Sequence, residues 1–165
     1  MGNHAARMKA LLAQISLPDA GIFEPKVGGV KVLVVDDHTD SLDMLSVMLE
    51  LHGAKVRTAS SAKEAMEAIV EERPAIVVTD IDMPGEDGFS LLGRIAEVDA
   101  AMPVVAMTAH DNQEMREKVL AAGFRAHLAK PLDTGEFLAI IASLTAHSAI
   151  AIGVALGLFA LDWAV

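Results

Sequence analysis

The sequence predicts an α/β protein built on a doubly wound, five-stranded parallel sheet. Three observations carry this expectation. Short β-branched apolar runs alternate with segments of helical periodicity. The runs Val32-Leu33-Val34-Val35 and Ile76-Val77-Val78 are apolar at every position, as strands covered by helices on both faces require. Glycine and proline punctuate the alternation at Gly53, Pro84-Gly85, Gly88, Gly123 and Pro131.

Each element follows from its residues. Val30–Val35 reads as the first strand, ended by Asp36-Asp37. Ser41–Leu51 spaces Leu42, Leu45, Met48 and Leu49 at helical intervals, and Gly53 stops it. Lys55–Ala59 is a short strand candidate. Ser61 and Glu64 make a capping box for a helix through about Glu71. Ala75–Thr79 is the next apolar run, ended by Asp80. After the Pro84-Gly85 and Gly88 breaks, a helix is expected from Phe89 to about Val98. Val104–Met107 is a strand ended by Thr108. Asn112–Ala122 is a helix stopped by Gly123, Arg125–Ala129 a short fifth strand ended by Lys130-Pro131, and Asp133–Leu144 the fifth helix.

Around this core, 30–145, lie two shorter regions. Residues 1–29 combine a helical pattern (Met8, Leu11, Leu12, Ile15) with a linker carrying Pro18, Gly21, Pro25, Gly28 and Gly29. Residues 146–165 form an apolar tail. The length of 165 residues suits one domain with a real core. The net charge of −10 argues against direct nucleic-acid binding, and no segment has the size and basic charge of a helix-turn-helix module. The absence of Cys excludes disulfides, thiolate catalysis and Cys-ligated metals.

Right-handed crossovers put all strand C-termini along one edge, where open α/β sheets bind their ligands. That edge gathers Asp36 and Asp37 from the first strand, Asp80 with Asp82 just beyond it from the third, Thr108 from the fourth and Lys130 from the fifth. Singly, each is ordinary: an Asp pair often caps a helix, a strand-end Thr reflects β-propensity, and Lys-Pro is commonly surface. Their convergence from four strand ends is not ordinary. Clustered carboxylates repel unless a cation joins them, and an all-oxygen set suits Mg²⁺. Mg²⁺, the Lys130 ammonium and the Thr108 hydroxyl together offer the positioning and charge neutralisation that phosphoryl transfer needs. A carboxylate can be the covalent acceptor.

The segments VLVVDDHTDSLDML, VVTDIDMPGEDGFSLL, VVAMTAH and AHLAKPL closely resemble the receiver domain of bacterial response regulators and hybrid sensor kinases, over about Val30 to Leu144. The resemblance implies a flavodoxin-like fold with strand order 2-1-3-4-5. It implies Asp80 as phosphoacceptor, with a histidine kinase or phosphotransfer domain as donor and a cytoplasmic location. The chain would then be an acceptor rather than an enzyme. Asp37 would bind Mg²⁺ directly and Asp36 partly through water, with the backbone carbonyl of Asp82 completing the set. Thr108 would be the switch hydroxyl, and Lys130 would pair with the acceptor and then the phosphate. Its bond to Pro131 is cis in the family. His127 occupies the switch position that is often Tyr or Phe. Asp82 and His110 stand where the family tunes dephosphorylation. The stretch ISLPDAGIFEPKVGGVKVLVVDD resembles the join between a kinase ATPase domain and an attached receiver.

Two other readings stay open on the sequence. A Mg²⁺-dependent phosphatase of the haloacid-dehalogenase type also uses Asp-x-Asp, as in Asp80-Ile81-Asp82, with Thr and Lys. Such enzymes carry that motif after their first strand. A non-phosphorylated interaction scaffold is the third reading, though no landmark residue is missing. The tail is separate. Ala142–Leu161 spans 20 residues without a formal charge and includes Gly153 and Gly157 at GxxxG spacing. The expectation is a continuation helix that buries its apolar face on the domain or in a homodimer, with the face of the fourth and fifth helices as a second dimer surface. Membrane contact through 146–161 is the weaker reading, since no Lys or Arg flanks the stretch.

Overall fold

The computed structural model describes residues 6–8, 10 and 26–155, with side chains to residue 146. Five strands and five helices alternate: β1 (Lys31–Val35), α1 (Thr39–Leu51), β2 (Lys55–Ala59), α2 (Ala62–Glu71), β3 (Ile76–Asp80), α3 (Gly88–Val98), β4 (Val104–Thr108), α4 (Gln113–Ala122), β5 (Ala126–Ala129) and α5 (Thr134–Ala155). The sheet is wholly parallel in the order β2-β1-β3-β4-β5, as the sequence leads one to expect.

Alternation along each strand divides the core in two. On one face Leu33, Val35, Val77, Val104 and Ala106 pack against α2, α3 and Val119 of α4. On the other, Val32, Val34, Ile76, Val78, Val105 and Met107 pack against Leu42, Leu45 and Leu49 of α1 and Phe137, Leu138 and Ile141 of α5. β3 and β4 are buried at every position, whereas the edge strand β2 turns Lys55, Arg57 and Thr58 to solvent. The apolar runs of the centre therefore give way to mixed residues at the margin.

Helix starts follow local hydrogen bonding. Ser61 accepts from the Glu64 amide at 3.2 Å. The Glu64 carboxylate reaches back to the amide and hydroxyl of Ser60, both at 2.8 Å, one residue earlier than in the usual capping box. Asp87 caps α3, Asn112 caps α4 and Asp133 accepts from the amide of Glu136. Gly123, at φ +114°, ends α4 in the left-handed conformation.

Several expected boundaries move. β3 ends on Asp80 itself, so the acidic residue stands in the strand and not beyond it. α1 begins at Thr39, with His38 at its N-cap. Gly88, expected to break the chain, is the first residue of α3. The reason is space. A Cβ at Gly88 would lie 2.7 Å from the carbonyl oxygen of Asp80 and 3.0 Å from Cα of Ile81, while the Gly88 amide donates to Ile81 O at 3.0 Å. α5 runs past the expected end at Leu144 to Ala155. No helix among the described residues is long and apolar enough to cross a membrane. Leu11, Leu12, Ile15, the linker residues through Pro25 and the tail from residue 156, including Gly157, lie outside the described residues.

Two outcomes follow. Phe137 is fully buried in the α5 face of the core, so Phe137→Ala should cost about 3–5 kcal/mol in urea unfolding without changing the m-value. Gly88→Ala should shift the 80–82 backbone, read as amide chemical-shift changes at Asp80 to Asp82 larger than those at the neighbouring turn glycine variant Gly85→Asn. At Gly85, φ +79°, the left-handed conformation tolerates Asn and no atom lies within 4 Å of an added Cβ.

Candidate functional site

The site assembles where β1 and β3 run side by side. Val35 pairs with Thr79, so the residues that follow, Asp36 and Asp80, leave adjacent strands at the same level. Asp36 is held there by its amide, which donates to Ala59 O at 3.1 Å, and is fully buried. Asp80 is 4% exposed. Two buried carboxylates at neighbouring strand ends need a compensating charge.

Lys130 supplies it from the far edge of the sheet. Its backbone amide donates to Thr108 O at 2.8 Å, and its bond to Pro131 is cis. The side chain crosses to place Nζ 2.9 Å from Asp36 Oδ2 and 3.0 Å from Asp80 Oδ2. Burial by itself pulls the Lys130 ammonium down, but the two carboxylates overcome this and hold it above its ordinary range. For Asp80 burial prevails: it pushes the carboxyl above the usual carboxylate range, against the bond from Lys130 and with help from the charge of Asp36.

The second oxygen of each carboxylate faces a loop. Asp80 Oδ1 accepts from the Asp82 amide at 3.2 Å, and Asp36 Oδ1 accepts from the His38 amide at 2.9 Å. Asp37 Oδ1 is buried and makes no hydrogen bond. Such an orphaned carboxylate oxygen is unfavourable unless something else coordinates it. Asp36, Asp37 and Asp80, joined by His38, each present one ligand atom, all within 4.8 Å of one another. Three carboxylates against one ammonium leave a formal excess of two negative charges. Oxygen chemistry, the charge excess and the orphaned Asp37 oxygen all fit a divalent cation.

The remaining expected residues stand outside this cluster. Thr108 is fully buried at the end of β4, and its hydroxyl oxygen accepts from the His110 amide at 3.0 Å. The side chains of Asp82 and His110 are exposed. His127, opposite Ala106 in the β4–β5 register, is half-buried, with Nε2 buried and unpartnered. The structure thus brings Asp36, Asp37, Asp80 and Lys130 into one cluster, which the Asp82 amide and the Thr108 carbonyl adjoin through their bonds to Asp80 and Lys130. It also adds His38, which the sequence analysis passed over. The ring Nδ1 lies 3.2 Å from both Asp36 Oδ1 and Asp37 Oδ1. The only sequence signal was its place directly after the acidic pair.

Comparison with known proteins agrees with this geometry. The family model for the response regulator receiver domain matches residues 32–142. An uncharacterized 14.6 kDa protein of Leptolyngbya boryana is 41% identical over 112 residues, covering 67% of this chain and 86% of that protein. The transcriptional regulatory protein PrrA of Mycobacterium tuberculosis is 36% identical over 126 residues, 76% of this chain but only 52% of the regulator, so the chain spans about half the length of that relative. The crystal structure of a response regulator receiver domain protein from Clostridium thermocellum superposes with a TM-score of 0.69 at 27% identity, covering 74% of this chain and 98% of that one. The chain belongs to the response regulator receiver domains, the phospho-accepting modules of two-component signalling.

Proposed function

We propose that Asp80 is the residue that accepts the phosphoryl group, donated by a phosphohistidine of a histidine kinase or phosphotransfer protein in the cytoplasm. The observation that carries this reading is the Lys130 ammonium shared between Asp36 and Asp80, beside an oxygen of Asp37 that makes no hydrogen bond. A carboxylate oxygen of Asp80 forms the new P–O bond as the donor's N–P bond breaks, and the electron pair leaves with the imidazole nitrogen. Lys130 lies where negative charge gathers on the phosphoryl oxygens. Asp36, Asp37, Asp80 and the carbonyl of Asp82 would hold Mg²⁺. When bound, it neutralises the carboxylates and receives phosphoryl oxygens.

Thr108 would turn its hydroxyl from the His110 amide toward the phosphoryl group. His127 would follow it, its buried Nε2 having no bond to hold it. Asp82 and His110, exposed at the rim, would set how readily water reaches the acyl phosphate. The phosphatase reading is disfavoured by the site as well as by family. In Asp80-Ile81-Asp82 the second carboxylate is exposed and only its backbone amide addresses Asp80.

Three measurements test this. With Mg²⁺ and acetyl phosphate, intact mass should rise by one phosphoryl group in the wild type and stay unchanged in Asp80→Asn; steady turnover of phosphate esters would instead support a phosphatase. Lys130→Ala should slow phosphorylation by about 10²-fold, the scale for removing one preorganised charge from a developing oxyanion. Finally, burial raises the Asp80 carboxyl, so the ionised form is less stable in the folded chain than in the unfolded one, and this destabilisation is present above the folded-state value. At neutral pH without metal, Asp80→Asn should therefore unfold at a higher temperature than wild type, and added Mg²⁺ should narrow the gap.

A further inference from the structure

The imidazole of His38 is the group at this site that receiver chemistry leaves unexplained. His38 is the N-cap of α1, yet its side chain makes no cap hydrogen bond, unlike Ser61, Asp87 and Asn112 at the starts of α2, α3 and α4. The ring turns back instead toward the acidic pair. Its Nδ1 lies 3.2 Å from Asp36 Oδ1 and 3.2 Å from Asp37 Oδ1. The ring bonds Asp36 Oδ1 at 3.2 Å, but Asp36 is not short of partners, because the same oxygen accepts from the His38 amide and Oδ2 accepts from Lys130. Asp37 Oδ1 gains no hydrogen bond from it. What the ring does share with both carboxylates is spacing. Adjacent ligands of an octahedral divalent ion at bond lengths near 2.1 Å stand about 3 Å apart.

We propose that His38 is a metal ligand through Nδ1 and shifts the site's preference from Mg²⁺ toward borderline first-row cations such as Mn²⁺. The inference rests on the reading that Asp36, Asp37 and Asp80 hold a divalent ion. Oxygen ligands alone favour hard ions. One imidazole nitrogen adds affinity for ions further along the first-row series and almost none for Mg²⁺. To serve, Nδ1 exchanges its 3.2 Å bond to Asp36 Oδ1 for the ion; the side chain is 69% exposed, so the Nε2 edge can face water while Nδ1 faces the ion.

The test uses the full chain and the metals alone. Pulsed EPR of bound Mn²⁺ should show ¹⁴N modulation from a directly coordinated imidazole in the wild type and in His52→Asn, and none in His38→Asn. His52 is the control because it lies at the other end of α1, away from the carboxylates, with its Nδ1 bonded to Met48 O at 2.8 Å. By calorimetry, His38→Asn should lower the ratio of Mn²⁺ to Mg²⁺ affinity by about tenfold, the lower end of losses seen when groups supporting a metal site are removed. Wild-type Mn²⁺ binding without ¹⁴N modulation, or an unchanged ratio in His38→Asn, would overturn the role of His38 and leave the phosphoacceptor reading standing. Failure of both ions to bind would overturn both.

Discussion

One ammonium group determines how the acidic edge of this sheet can exist. Asp36 and Asp80 are brought together by the pairing of β1 with β3, and both are shut off from water. Without Lys130 the fold would force two like charges into a poorly solvated space. Lys130 reaches them from beyond β5, passing the end of β4, so a single side chain ties together strand ends that are far apart in sequence. Its backbone is fixed by the bond to Thr108 O, which makes the position of the cation a property of the sheet as well as of the side chain.

The sheet order explains why this happens here. β2 lies on one side of β1 and β3 on the other, so the connections on either side of β1 run to opposite faces and open a crevice at the strand ends. Asp36, Asp37 and Asp80 sit at that opening. The core beneath is saturated with Val, Leu and Ile from both faces, which holds the strand ends to one level and leaves the loops to carry chemistry.

Much of this was legible in the sequence because burial writes itself as continuous apolar runs. β1, β3 and β4 were plain for that reason. β2 and β5 were harder: they are edge strands with exposed residues such as Lys55, Arg57 and Ala126's half-buried neighbour His127, so their pattern is weaker. The acidic pair, Asp80, Thr108 and Lys130 could be placed at strand ends from periodicity alone. What periodicity does not encode is the direction of a loop side chain. The turn of His38 toward Asp36 and Asp37 depends on the backbone at the start of α1, and the forked contact of Lys130 depends on strand order, so both waited for three dimensions. The start of α3 at Gly88 was misjudged because glycine reads as a breaker in sequence, whereas here its missing Cβ admits a neighbouring backbone.

That close approach has a mechanical meaning. Asp80 O and the first turn of α3 are separated by no spare clearance, since even a methyl group would collide. The Asp80 peptide and the helix thus stand in direct contact. α3, a strut of about 16 Å, starts from this contact. The far end of that strut is Asp99, whose carboxylate is bonded to Arg73 at 2.5 Å. One helix thus spans from the peptide of Asp80 to an ion pair with Arg73, in the segment that leads into β3.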